Sequence, residues 1–167
     1  MKNIKYTIII TFTFIALCFQ HIIHEYSHVL AALIYKEKVS HIQWLTYHGG
    51  TRVFFMNEPD FSSQHIDKKW AVIAGAGFTV TTIFGYLFLC LYFRVESPWI
   101  KTWLCFFTII FLIVDSLYFV LGSILNFGDI IGIRETVKIP KWLSVVLCSA
   151  VFLLHCTIIY FCFYRAG

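Results

Sequence analysis

Four stretches of the chain are long and apolar enough to cross a membrane, and they constrain the fold more than any other feature. They cover residues 6–35, 70–93, 102–128 and 142–164, and a helix that spans a bilayer core needs about 20 such residues. They must be helices, because backbone groups in lipid need internal partners and no alternating pattern of about ten residues recurs. We therefore predict an all-α polytopic membrane protein, with about four transmembrane helices in a single membrane-embedded domain over residues 1–167.

The composition excludes other classes of protein. Hydrophobic residues make up 59% of the chain and charged residues 13%, and a soluble domain of this size could not bury that much apolar surface. The net charge of +4 is spread over loops and forms no basic stripe, which argues against a nucleic-acid partner. We therefore expect the lipid bilayer to be a partner of this chain.

The polar segment between the first two apolar stretches has the pattern of a small β-hairpin. Residues 39–47 and 51–56 are rich in strand-forming side chains, and a turn-like sequence, His48-Gly49-Gly50, separates them. We predict a hairpin over residues 39–56. For the segment after Gly128 we predict irregular backbone that lines a cavity in the membrane, followed by a loop that reaches residue 141.

The distribution of lysine and arginine predicts the orientation. Four spans place both termini on one side, which carries five of these residues, while the side with the hairpin and the last loop carries eight. Cytoplasmic loops carry the excess of positive charge. We therefore expect the hairpin and the last loop to lie in the cytoplasm, in a bacterial-type cell membrane.

The first apolar stretch contains an HExxH motif, His24-Glu25-Tyr26-Ser27-His28. Histidines four residues apart lie on one face of a helix, and each can bind the same Zn²⁺ through a ring nitrogen. Glu25 beside them can act as general base on a water molecule. Because a carboxylate in an apolar helix is costly unless it is paired, the motif predicts one Zn²⁺ per chain. The alternative is a polar cluster that only joins helices.

A catalytic zinc has three protein ligands, so a third must come from elsewhere. Four residues are candidates: Asp129, Asp115, Glu135 and His21. The first and third spans run in the same direction, so Asp129, at the end of the third span, matches the motif in depth. Asp115 lies about 21 Å earlier along that helix, towards the opposite face, and we interpret it as a supporting or helix-contact carboxylate. Glu135 is interpreted as a solvated loop charge and His21 as a hydrogen-bonded interior histidine.

The order of these motifs resembles the site-2 protease family, the intramembrane zinc metalloproteases. Its members carry HExxH on one helix, then a β-hairpin and another helix, and an aspartate ligand on the helix two spans after the motif. The matching sequences are HExxH at residues 24–28 and Asn126-Phe127-Gly128-Asp129, and the resemblance covers residues 15–135. It implies that Asp129 is the third zinc ligand, in a minimal or divergent member of the family.

The resemblance also implies an activity, the cleavage of transmembrane segments of other membrane proteins. Asn126 would orient the substrate, and the hairpin with Gly49 and Gly50 would bind the unwound segment by edge pairing. The sequence departs from the family pattern here, because Asn126 is only three residues before Asp129 and no proline stands between them. A zinc-binding, non-proteolytic membrane partner, of pseudoprotease or chaperone type, is therefore the alternative function.

Overall fold

The computed structural model describes residues 2–44, 51–61 and 66–165. Within these residues the elements are α1 (Lys2–Ile34), β1 (Val39–Gln43), β2 (Arg52–Phe55), α2 (Lys69–Arg94), α3 (Pro98–Leu125), α4 (Asp129–Val137) and α5 (Lys141–Ile159), which continues as a π-helix over Tyr160–Arg165. The predicted fold class is confirmed: long helices with a small hairpin between the first and the second.

Four of the helices are long and apolar enough to cross a membrane: Thr7–Ile34 in α1, Lys69–Arg94, Pro98–Leu125, and Lys141–Tyr164. These bounds agree with the predicted spans to within a few residues. Many large apolar side chains on them are exposed, such as Ile10, Ile34 and Trp142. A surface of this kind needs lipid to cover it, as expected of a membrane protein.

Helix α3 lies between α2 and α5 and also packs against α1. Phe111 and Leu112 of α3 are completely buried in these contacts. Helices α1 and α3 run in the same direction. The rings of Phe12 and Trp103 lie against each other near the start of both helices, with centroids 3.5 Å apart, and His24, further along α1, contacts Asp115, further along α3. The predicted parallel arrangement of the first and third spans is confirmed.

The hairpin is antiparallel, with Val39 opposite Phe55 and Gln43 opposite Arg52, and an irregularity in register follows Val39. Its base packs on the bundle, where the Phe55 ring meets the Trp70 ring edge-on at 5.3 Å. The hairpin is thereby held beside α1 and α2. Gly49 and Gly50, the predicted turn residues, lie outside the described residues.

The segment that follows α3 is helical, so the prediction of irregular backbone and a loop was wrong. Asn126 ends α3 in the left-handed conformation, at φ 63°, and Gly128 follows at φ 73°; both residue types tolerate such angles. The chain turns here and begins α4 with Asp129 in its first turn, where a negative charge suits the helix dipole. A Cβ at Gly132 would lie 3.0 Å from that of Ala74, so this glycine allows α4 to pack closely on α2.

The contact between α2 and α3 should be sensitive to one added methyl group at Gly85. A Cβ there would lie 2.6 Å from Cδ2 and 2.8 Å from Cγ of Leu112. We expect Gly85→Ala to lower stability by about 1–3 kcal/mol, the usual cost of overpacking, measured as thermal unfolding in detergent micelles. Gly75→Ala is the matched control, because its Cβ would meet only Ile133, at 3.6 Å. Equal stability of the two variants would contradict this account of the contact.

Candidate metal centre

The HExxH motif lies in the part of α1 that faces α2 and α3. His24, Glu25 and His28 are all buried, and the two imidazole rings are 4.9 Å apart between centroids. Gly77 of α2 makes room for His24, because a Cβ there would lie 2.5–2.7 Å from three atoms of its ring. The two histidines therefore project into the bundle and not towards lipid.

Asp129 meets both histidines at the start of α4. Its Oδ2 lies 3.0 Å from Nε2 of His24 and 3.4 Å from Nε2 of His28. Among the described residues, this trio is the cluster of His, Cys, Asp or Glu in which all ligand atoms lie within 4.8 Å of one another. The structure thus brings together the three residues that the sequence predicted as metal ligands.

Two of the other candidates for third ligand lie away from this trio. Glu135 pairs with the neighbouring Arg134 at 2.7 Å. Nε2 of His21 lies 2.5 Å from the hydroxyl oxygen of Thr51, which links α1 to the hairpin segment and agrees with the interpretation of a hydrogen-bonded histidine.

Asp115 is next to the trio, and its expected distance from Asp129 was wrong. Its Oδ2 lies 3.0 Å from Nδ1 of His24, so the two aspartates contact opposite nitrogens of one ring. The expected separation of Asp115 and Asp129 assumed that one straight helix continues through both residues. The chain instead turns after α3, which brings Asp129 back towards His24. The contact with His24 is compatible with both parts of the interpretation, a supporting carboxylate and a helix-contact carboxylate.

The second nitrogen of each histidine is also occupied. Nδ1 of His24 faces the Asp115 carboxylate, and Nδ1 of His28 lies 2.6 Å from the carbonyl oxygen of Ile73. Because these oxygens only accept hydrogen bonds, each neutral ring carries its hydrogen on Nδ1. In this neutral state both Nε2 lone pairs would face a carboxylate oxygen of Asp129. Such a cluster of acceptors is stabilised by a positive charge, either a proton on an imidazole ring or a metal ion.

The donor set and its spacing fit zinc. Two imidazole nitrogens and one carboxylate oxygen are a known ligand set of catalytic zinc sites. Tetrahedral ligands at 2.0–2.1 Å from the ion are about 3.3 Å apart, and the observed separations from Asp129 are 3.0 and 3.4 Å. The residues present therefore fit a Zn²⁺ ion.

The charge on Asp129 is consistent with a ligand. Burial raises the pKa of its carboxyl group, but His28 and His24, when their rings are protonated in the metal-free site, hold that pKa below its usual range. Asp129 is therefore ionised at neutral pH, as a carboxylate ligand must be.

A cavity of about 420 Å³ borders the centre. Glu25, His28 and Asp129 line it on one side, and Val53 and Phe55 of β2 line it on another. The Glu25 side chain is buried and lines the cavity. A carboxylate in this position is able to exchange protons with a molecule inside the cavity.

Tyr118 is a residue of the site that was not predicted from the sequence. Its ring lies edge-on to His24, with centroids 6.2 Å apart, and its hydroxyl lies against the backbone of Gly128. It also lines the cavity. The signal for it was its position three residues after Asp115, which places both side chains on the same face of a helix.

Asn126, predicted to orient the substrate, occupies a structural position. It ends α3 in the left-handed conformation and is exposed, and it is not among the residues that line the cavity. Its role in substrate binding stays a prediction.

Comparison with known proteins assigns neither a family nor a function to this chain. No protein-family model, no curated protein and no solved structure matches the chain. Functional inference therefore depends on the geometry of the site.

The close approach of α2 to His24 predicts that Gly77 is needed for metal binding. We expect Gly77→Ala to displace the His24 ring and weaken zinc binding about 10–100-fold, as disturbance of a ligand's orientation commonly does. The measurement is zinc affinity by competition with a chromophoric chelator. Gly85→Ala, on the same helix but against Leu112, is the control and should bind zinc as the wild type does. Wild-type affinity in Gly77→Ala would refute the prediction.

Proposed function

We propose that this chain is an intramembrane zinc metalloendopeptidase that cleaves transmembrane segments of other proteins, similar to the site-2 protease family. One observation carries the proposal: His24, His28 and Asp129 converge beside the Glu25 carboxylate, at a cavity within a bundle of membrane-type helices. This is the set of groups that a zinc hydrolase needs.

His24, His28 and Asp129 would hold the zinc through Nε2, Nε2 and Oδ2. When bound, zinc would polarise the scissile carbonyl group and lower the pKa of a water molecule towards about 7. The three ligands come from α1 and α4, and α2 and α3 hold these two helices in place. The site is therefore preorganised by packing between helices.

Glu25 would move the proton. Its carboxylate would take a proton from the attacking water and pass it to the nitrogen of the leaving amine, as a general base and then a general acid. Its burial near the two histidines and its place on the cavity wall suit this role.

The hairpin would bind the substrate. Within the described residues β2 pairs only with β1, and its residues Arg52, Val53 and Phe55 line the cavity. A helix hides its peptide bonds, so a transmembrane substrate must unwind before it is cut. The unwound segment could then pair with the open edge of β2, which would present a peptide bond to the cavity.

We also propose that the hairpin side of the molecule faces the cytoplasm, as the lysine and arginine distribution indicates. Water would then reach the cavity from the cytoplasmic side. This orientation agrees with polar side chains such as Arg52 and Glu58, which form an ion pair of 2.9 Å beside the cavity.

The alternative function is a zinc-binding membrane partner without protease activity. The position of Asn126 favours it, because the residue predicted to orient a substrate lies away from the cavity. Under this alternative the wild type binds zinc but cuts nothing, and Glu25 has no catalytic role.

Substitution of Glu25 separates the two functions. Glu25→Gln keeps the shape of the side chain but cannot accept a proton, so it should keep zinc at one ion per chain and lose cleavage by at least about 100-fold, at the lower end of what general-base catalysis contributes. Cleavage would be measured by mass spectrometry of new peptide termini in membranes of cells that express each variant, and zinc by elemental analysis of the purified protein.

Two further variants complete this experiment. Asp129→Ala should lose both zinc and cleavage, and Glu135→Gln, at a carboxylate paired with Arg134 outside the trio, should keep both. New termini within apolar segments should appear with the wild type and Glu135→Gln only. Identical termini in wild type and Glu25→Gln would exclude the protease, and an unchanged zinc content in Asp129→Ala would exclude Asp129 as a ligand.

A further inference from the structure

Asp115 is a buried carboxylate with three side-chain partners on two other helices. Only 4% of its surface is exposed. Gln20 of α1 donates to its Oδ1 at 2.5 Å, while His24 of α1 and the Thr81 hydroxyl of α2 both contact its Oδ2. One carboxylate on α3 thus joins three helices and touches a residue of the candidate metal centre.

We propose that Asp115 is a positioning residue of the metal centre, which holds His24 so that Nε2, and not Nδ1, binds the metal. This inference rests on the proposed zinc site. By accepting the hydrogen of Nδ1, the Asp115 carboxylate fixes the tautomer and the orientation of the ring. The Nε2 lone pair then points at Asp129, on the opposite side of the ring.

The two histidines are held differently, which gives the proposal a specific consequence. Nδ1 of His28 faces a neutral acceptor, the carbonyl oxygen of Ile73, whereas Nδ1 of His24 faces a carboxylate. A carboxylate partner makes an imidazole a stronger ligand than a carbonyl does. Removal of the charge at Asp115 should therefore weaken the site through His24 alone.

The competing explanation is that Asp115 only links helices. Such a role exists nearby, since the hydroxyl of Ser116 lies 2.6 Å from Nδ1 of His155 and joins α3 to α5. That pair lies outside the metal trio, and both residues are buried. Ser116→Ala therefore serves as a matched control, which removes a buried polar link of α3 and leaves the His24 contact intact.

The test is the zinc affinity of the full-length protein in detergent micelles, measured with Zn²⁺ and a competing chelator, together with the thermal unfolding of the metal-free protein. Asp115→Asn keeps the shape and an accepting oxygen but loses the charge. We expect its zinc affinity to fall about 10–100-fold, while Ser116→Ala keeps wild-type affinity even if it unfolds at a lower temperature. The absorption spectrum of bound Co²⁺ should also change in Asp115→Asn only.

Wild-type zinc affinity and an unchanged Co²⁺ spectrum in Asp115→Asn would overturn the inference and leave the proposed function standing. An equal loss of affinity in Ser116→Ala would also overturn it, because the loss would then follow helix packing. A wild type that binds no zinc would overturn both the inference and the proposed function.

If Asp115→Asn does not fold, a measurement on the unsubstituted protein tests the same proposal. In the zinc-loaded protein with ¹⁵N-labelled histidine, NMR couplings of the ring nitrogens should show His24 bound to the metal through Nε2 with a hydrogen on Nδ1. Binding through Nδ1 would overturn the inference.

Discussion

The charges of ionisable side chains that are buried in an apolar helix bundle must be balanced by neighbouring groups. The candidate metal centre is arranged around this constraint. His24 lies between two aspartates, with Asp115 at Nδ1 and Asp129 at Nε2. With neutral histidines, these two carboxylates bring two negative charges into surroundings of low polarity, where unpaired charge is very costly. One divalent cation held by His24, His28 and Asp129 would balance both.

The same constraint explains why three other helices, α2, α3 and α4, pack around the short HExxH motif of α1. Helix α1 supplies the histidines, α3 supplies Asp115 and α4 supplies Asp129, while α2 contributes close packing at Gly77 and the Ile73 carbonyl oxygen that holds His28. Each partner satisfies a polar group that lipid could not. The cavity beside Glu25 lies between this buried cluster and the hairpin, since residues of both line it.

Much of the architecture was predictable because the signals are local. Long apolar stretches in lipid must become helices, a run of strand formers around two glycines indicates a hairpin, and spacing of four residues places His24 and His28 on one helix face. Helix α4 was missed because it has only nine residues with mixed polarity, and it forms by packing on α2 through Gly132. No pattern in the sequence marks a short helix that is held by its packing on neighbouring helices.

The sequence by itself determined the membrane-type helices, the HExxH pair and a short set of candidates for the third ligand, because these follow from residue type and helical period. Only the tertiary structure shows which of these candidates lies beside both histidines. The turn after α3 brings Asp129 back to the histidines, and the parallel packing of α1 and α3 brings Asp115 to the other side of His24. Contacts between residues about 90 to 105 positions apart depend on helix packing, which leaves no periodic trace along a single chain.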